Sequence, residues 1–299
     1  MTRSFETGAV LCVGRLYADL IFTGLPEAPS PGHEVYADAL DIRAGGGAFI
    51  TGAHLALLGY PVQLSAFVSP PPFQGILMSE IRDAGLDARL CQAGSGAQVT
   101  VVVASEADRS FLTKRADRAC PVLDPAELAA LGIRHIHIGE LASLADCPEI
   151  LALARGIGAT VSLDCGWDAA LSPVELAPLI EAVDVFLPNA AEHRWLAEAG
   201  CNGALAPLVV VKQGRDGATA LRGGQTVFSA ARVVDAVDPT GAGDAFNAGF
   251  LAAWLRGDDL ESSLRAGNRQ GALAVQATGG LGIARAEAPA REDAAVPAN

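Results

Sequence analysis

The feature that most constrains this chain is a rhythm of apolar runs and helical segments. Residues 9–14 (AVLCVG) are continuously apolar and end in glycine. A strand with one wet face alternates polar and apolar residues, so a run without alternation suits a strand buried on both faces of a parallel sheet. Residues 62–68, 133–139, 160–165, 183–189 and 208–214 read as further strands, and 49–59, 73–86, 148–158, 191–200, 243–255 and 259–277 as helices, the first stopped by Gly59. Strands alternating with helices imply βαβ units and a mainly parallel sheet covered on both faces, an α/β fold. Residues 217–224 and 225–230 read as late strands. Two regions break the rhythm: residues 33–44, a half-exposed strand, and residues 98–105 with 109–113, a hairpin around 106–108. They point to a small separate sheet or lid drawn from about 15–44 and 98–115. The stretch 284–299, rich in Ala, Pro and charge, reads as a mobile tail, which leaves 1–283 as a single domain.

Length and charge narrow the function. A chain of 299 residues, 51% hydrophobic, can fill the core of one large α/β domain or two small ones. A net charge of −13 argues against a nucleic-acid partner and requires any phosphate site to be locally positive. The six cysteines form no C-x-x-C pair and read as buried thiols. The first ten residues lack the apolar core of a secretory signal, and no run reaches the ~20 apolar residues of a membrane span. A cytoplasmic protein without a membrane partner is expected. His135 and His137 share one face of a strand and read as packing or hydrogen-bonding residues. Neither lysine, Lys114 nor Lys212, follows a G-x-x-x-x-G loop, which excludes a P-loop. Gly241 and Gly243 are followed by Phe246 where a dinucleotide fingerprint has its third glycine, which argues against a nicotinamide dehydrogenase.

Residues 233–250 (VVDAVDPTGAGDAFNAGF) carry the most chemistry. A strand-like run leads into a Gly-rich turn and then a helical segment. Helix N-termini present unpaired N–H groups and partial positive charge, so the turn suits an anion. Asp244 within it would repel a static phosphate. It fits if an alcohol lies between them: the carboxylate takes the hydroxyl proton while the N–H groups of 241–243 hold charge on a transferred phosphoryl group. The other reading of the same residues is an Asp that caps a helix after a Gly turn. The stretch alone leaves both open.

DPTGAGDAFNAGF closely resembles the signature of the ribokinase-like, or PfkB, carbohydrate kinases. Other segments agree in order: VGRLYADLIF (13–22), GGGAFITGAHLALLG (45–59), ADRSFLTKRADRA (107–119), VDVFLPNAAEHRWL (183–196) with its N-x-x-E, and VVVKQGRDG (209–217). The match spans about 9–282. The resemblance implies a Rossmann-like α/β/α sandwich with a small β-sheet lid, and an ATP-dependent, Mg²⁺-requiring phosphotransferase. Its implied base is Asp244, with the N–H groups of Gly241, Ala242 and Gly243 as anion hole. Asn189 and Glu192 would organise Mg²⁺ and phosphates through water. Lys212, Gly214, Gly217 and Asn268 would line the nucleotide, and Asp19, Gly45 and Gly46 would face the sugar. A monovalent cation such as K⁺ would sit by the backbone near Asp238 and Thr240. A homodimer through the lid is expected by the same resemblance. Without it, Asn189 and Glu192 also read as the cap of the helix at 191, and Asp19 as a turn residue.

Departures from the pattern cluster on the acceptor side. Ile50 stands where many relatives have Asn, FVSPPP (67–72) replaces G-x-D-x-x-G, and DCGWD (164–168) keeps Asp164 but lacks the Asn that follows. Lys114 and Arg115 lie together on the lid segment, with Arg118 nearby. Arg presents a planar fork suited to carboxylates, so Arg115 is expected to meet an anionic or strongly polar group on the acceptor; the other reading is that Lys114 and Arg115 are solvated lid residues. The expected function is phosphorylation of a hydroxyl on a sugar or sugar-like molecule. A nucleoside kinase or a non-catalytic sugar-binding protein of the same fold are the alternatives.

Overall fold

The computed structural model describes residues 8–105, 109–166, 168, 170–201, 205–276 and 279–281. The expected tail at 284–299 and the hairpin turn at 106–108 lie outside them. The elements run β1 (Ala9–Val13), β2 (Tyr17–Leu25), β3 (Ala39–Gly45), α1 (Gly47–Leu57), β4 (Val62–Ser65), β5 (Phe67–Val68), α2 (Gln74–Asp83), β6 (Gln92–Ala93), β7 (Val99–Ser105), β8 (Arg109–Lys114), α3 (Pro125–Ala130), β9 (Ile133–Ile138), α4 (Leu141–Asp146), α5 (Glu149–Ile157), β10 (Thr160–Asp164), α6 (Pro173–Glu181), β11 (Val185–Leu187), α7 (Ala190–Glu198), β12 (Leu208–Lys212), β13 (Ala218–Arg222), β14 (Gln225–Ser229), α8 (Ala242–Leu255) and α9 (Leu260–Ala274).

An eight-stranded sheet in the order β14-β13-β12-β11-β10-β9-β1-β4 forms the centre. The strands from β4 to β12 are parallel; β13 and β14 join antiparallel at one edge. Strand β1 shows why both faces are covered. Val10 and Cys12 enter one apolar cluster with α1 and α8; Ala9, Leu11 and Val13 enter another with α3, α4 and α5. The continuous apolar run is thus split by the two-residue period of the strand between two cores. On β9 the isoleucines take one face and the histidines the other. His135 bonds Thr160 and Ser162 hydroxyls at 2.8 Å each and meets Trp254 edge-on, and His137 bonds Ser162 at 2.9 Å. Burial pushes their pKa values down to about 3 and about 4. All six cysteines are free thiols. No helix among the described residues is long and apolar enough to cross a membrane.

A second sheet, β3-β2-β7-β8, holds the segments that broke the βα rhythm. Within it β2 pairs antiparallel with β3 and parallel with β7, and β7–β8 is the expected hairpin. Of the expected 33–44 strand only 39–44 pairs, and the pairing runs on to Gly45.

Three helices escaped the sequence reading. Helix α3 is capped by Asp124, whose side chain accepts from the Ala126 N–H at 2.9 Å. Helix α6 carries an exposed Pro178 in its interior, which reads as a breaker. Helix α4 has only six residues. The run at 233–238 is not a strand. Val233 and Val237 are exposed, and the N–H groups of Val237 and Asp238 donate to the Val275 carbonyl just past α9. Backbone that satisfies itself on a helix end has no need of a sheet partner.

Candidate active site

Parallel α/β sheets place their ligand crevice at the C-terminal ends of the strands. Here those ends deliver Gly139 and Glu140 after β9, Asp164 at the end of β10, Asn189 after β11 and Lys212 at the end of β12. With Gly47, Gly243 and Asp244 they line a cavity of about 430 Å³. A larger cavity of about 800 Å³ adjoins it; Lys212, Gly214 and Gly243 line both. The larger one is walled by Gly217, Val233, Phe246, Asn268 and Val275 among others. A third, of about 50 Å³, is lined by Asp19, Arg43, Ile50, Glu80, Thr240 and Gly280 among others.

The Gly-rich turn sits at this junction. Gly241 caps α8 with φ 73°, and a Cβ there would lie 2.6 Å from the Gly280 Cα, so both conformation and space require glycine. The first intrahelical bond runs from the Ala245 N–H to the Gly241 carbonyl at 2.8 Å. Gly243 and Asp244 therefore lie in the turn whose N–H groups have no helical partner. Of the three N–H groups expected in the anion hole, that of Ala242 turns back to the Pro239 carbonyl at 3.2 Å.

The Asp244 carboxyl abuts the start of α1, where a Cβ on Gly47 would come within 2.9 Å of Oδ1. Thr51 donates to the Asp244 carbonyl at 3.3 Å. Burial, foremost, raises the Asp244 pKa to about 8; Asp164, Glu192 and Glu140 add to the rise and Lys212 opposes it. The charged form is held back by lost hydration and by like charge.

Lys212 is the cation of this cluster. Its Nζ donates to both Asp164 oxygens, at 2.8 and 3.0 Å, and to Asn247 Oδ1 at 3.1 Å; Asn247 Nδ2 closes the triangle on Asp164 at 2.6 Å. Burial opposes its charge, but Asp164 and Glu192 outweigh that and raise its pKa. Lys212 thus lines the expected nucleotide cavity with its ammonium tied to a carboxylate. Asn189 and Glu192 form a full capping box for α7: Asn189 Oδ1 accepts from the Glu192 N–H at 2.9 Å and Glu192 Oε2 from the Asn189 N–H at 2.7 Å. They cap the helix and also face the 430 Å³ cavity. Among the described residues no three His, Cys, Asp or Glu side chains converge on one point that would hold a metal directly. The oxygen donors of Asp164, Asn189 and Glu192 on the cavity wall suit Mg²⁺, a hard ion that keeps several waters and takes phosphate oxygens.

The remaining expected residues divide between the cavities. Asn268 lines the large cavity and donates to the Ser229 and Ala230 carbonyls at 2.9 and 3.3 Å, fixing the wall after β14. Gly214 opens a 3₁₀ turn, Gly214–Asp216, and Gly217 follows it. On the other side the Asp19 carboxyl folds over Gly45, and burial lifts its pKa to about 7 against a hydrogen bond from Thr100. Gly46 (φ 107°) caps α1, with the Arg15 carbonyl where a Cβ would be. The Arg115 guanidinium bonds the Asp168 carboxylate and donates from Nε to the Tyr17 hydroxyl at 3.2 Å. Lys114 reaches the Ala97 carbonyl at 3.0 Å and Arg118 pairs with Glu149. Both turn to protein partners. Asp238 accepts from the Thr240 and Gly279 N–H groups at 2.8 Å each.

Glu140, Asn247 and Gly47 were not singled out from sequence. Glu140 follows a strand-end glycine in IHIGE, a position the crevice rule would have flagged. Asn247, three residues past Asp244, shares its helix face.

The comparisons with known proteins agree with this geometry. The ATP-dependent ribose-1-phosphate kinase of Halopiger xanaduensis is 30% identical over 257 residues, covering 82% of this chain and 85% of that protein. A nucleoside kinase of Methanothermobacter thermautotrophicus is 28% identical, covering 86% of each. The Arabidopsis thaliana ribokinase, solved with ribose and ATP, superposes with a TM-score of 0.76 at 20% identity, covering 92% of this chain and 94% of that one. The model of the pfkB family of carbohydrate kinases matches residues 8–285, and with this fold and this turn the chain belongs to that family.

Proposed function

We propose that this kinase transfers the γ-phosphoryl group of ATP to a hydroxyl of a sugar-like acceptor, with Asp244 as general base. The observation that carries the reading is the placement of the Asp244 carboxylate. It lies in the unpaired first turn of α8, at the junction of a nucleotide-sized cavity and the acid-lined one. A carboxylate whose pKa is raised to about 8 is, once ionised, a stronger base than an ordinary one, which suits taking a proton from an alcohol. The N–H groups of Gly241 and Gly243 and the helix start would hold the charge spread over the transferred group. Lys212 is a cation common to both cavities, its charge offset by Asp164, and Arg215 and Arg232 add positive charge to the wall of the larger one. Lys212, Gly214, Gly217 and Asn268 would line the nucleotide. Asn189 and Glu192, with Asp164 beside them, would hold Mg²⁺ through water. When bound, Mg²⁺ supplies charge neutralisation on the phosphate oxygens.

On the acceptor side, Asp19 with Gly45 and Gly46 would take sugar hydroxyls. Ile50, buried and apolar, would face a position without a hydroxyl, since an unpaired polar group there costs about 1–3 kcal/mol. Arg115 would meet an anionic group on the acceptor, a reading supported by the ribose-1-phosphate kinase among the relatives. A nucleoside acceptor is the second reading, favoured by the nucleoside kinase that matches over most of its length. A monovalent cation near Asp238 and Thr240 belongs to the same proposal. So does a homodimer through the small sheet, which leaves Leu40, Phe111 and Leu112 exposed. The test is a screen of free sugars, sugar phosphates, sugar acids and nucleosides for acceptor-dependent ADP release. Release with no acceptor above the rate without any would overturn the reading.

A further inference from the structure

One buried side chain lies outside the chemistry above yet touches the wall that the acceptor pocket and the anion turn share. His54 of α1 is fully buried. Its Nε2 bonds the Gly280 carbonyl at 2.9 Å, and its Nδ1 meets Gln270 Nε2 of α9 at 3.1 Å. A carbonyl only accepts and an amide NH₂ only donates, so both contacts are met by one state: neutral imidazole with its proton on Nε2. Burial, which pulls the His54 pKa down, favours that state.

What His54 holds is a small turn with two faces. Gly280 lies against Gly241, so closely that no Cβ fits between them, and against Ile50. With Thr240, Gly279 and Leu281 it lines the acceptor-side pocket. Asp238 pins the same turn from the other end through the Gly279 N–H and ties it to Thr240. Helix α1 carries the matching contacts one turn apart. Gly47 abuts the Asp244 carboxyl, Thr51 bonds the Asp244 carbonyl, and His54 bonds Gly280. The spacing 47, 51, 54 is one face of a helix. A single rigid element therefore sets the base, the start of α8 and the turn behind it.

We propose that His54, steadied by Gln270, is a positioning residue that clamps the 279–281 turn against Gly241 and so fixes the acceptor pocket relative to the anion turn. Its kinetic consequence rests on the phosphoryl transfer proposed above; its mechanical one does not. Loss of the clamp lets Gly241 and Thr240 drift while the nucleotide walls at Gly214, Gly217 and Asn268 stay in place. Misplacing a reacting pair by a fraction of an ångström lowers turnover far more than it lowers binding of the distant partner.

The test uses His54→Leu, which removes both bonds at similar volume, His54→Gln, which keeps a donor for the Gly280 carbonyl, and Gln270→Leu as a milder second variant should His54→Leu fail to fold. Amide hydrogen exchange in the peptide spanning Gly279–Leu281 is read first, without substrate. At least tenfold faster exchange is expected in His54→Leu, a smaller increase in Gln270→Leu, and near wild-type exchange in His54→Gln. With the acceptor that the screen finds, His54→Leu should lower kcat at least tenfold and raise the acceptor KM, leave the ATP Kd within twofold, and be largely rescued in His54→Gln. Unchanged exchange at 279–281 in a folded His54→Leu or Gln270→Leu protein would overturn the clamp. So would a His54→Gln variant as impaired as His54→Leu. Faster exchange in His54→Leu, together with a wild-type protein that phosphorylates no acceptor, would uphold the clamp and count against the kinase reaction instead.

Discussion

Asp244→Asn should make the protein more stable, by an amount that grows with pH. The Asp244 pKa rises from an ordinary 3.8 to about 8 on folding. Between those values the folded state binds more protons than the unfolded one, so stability falls as pH rises and levels off above pH 8. At ~1.4 kcal/mol per unit, the full cost of keeping this carboxyl is on the order of 3 kcal/mol at pH 6 and 6 kcal/mol above pH 8. Asp244 is half-buried, not sealed off, and solvent screening takes part of it, leaving an expected gain for the neutral amide of about 1–2 kcal/mol at pH 6 and about 3 kcal/mol at pH 8.5. Urea unfolding of both proteins at pH 6, 7 and 8.5 without ligands measures this directly. An Asn variant no more stable than wild type, or one whose gain is the same at all three pH values, would refute the electrostatic account of the site.

The other predictions concern activity. The kcat/KM of the free wild-type enzyme should rise with pH, reach half its maximum near pH 8 and approach a plateau about one unit higher, as Asp244 loses its proton; a flat profile from pH 6.5 to 9 would contradict it. Glu192→Gln should raise the Mg²⁺ concentration for half-maximal rate several-fold, and an unchanged Mg²⁺ dependence would confine Glu192 to its capping box. Arg115→Ala should raise KM roughly tenfold or more for a phosphorylated or acidic acceptor and little for its neutral analogue. Equal effects on both would make the Arg115–Asp168 pair a purely structural tie.

Much of the fold was legible because burial on both faces leaves a plain mark. The unbroken apolar run at 9–14 and the glycine after α1 locate a central strand and a helix end without further information. The run at 233–238 shares that composition but not that fate. Its partner is the end of α9, and no local pattern announces a helix terminus far along the chain. Helix α6 was hidden by Pro178, which is tolerated because it faces solvent. At the site, Asp244 and its glycines stood out because a carboxylate in a turn suited to an anion is unexpected, although the stretch alone left a helix-capping Asp open. The Lys212–Asp164–Asn247 triangle was not legible, since it joins the ends of two strands to a helix. Nor was the His54 clamp, whose meaning depends on what lies across from it. The capping box and the metal-side role of Asn189 and Glu192 looked like rival readings in the sequence; the structure shows the capping box and leaves both residues on the cavity wall, where the proposed metal role does not compete with it.

The central claim, that Asp244 is the base for transfer to an acceptor hydroxyl, is tested most directly by two measurements on the same preparations of wild type and Asp244→Asn. One is the initial rate of acceptor-dependent ADP release, the other the calorimetric Kd for ATP with Mg²⁺. The account predicts that turnover falls by roughly 10²–10⁴ while ATP binds within a few-fold of wild type, as expected when a positioned base is lost and the nucleotide cavity is not. Turnover within a few-fold of wild type in the Asn variant would contradict it.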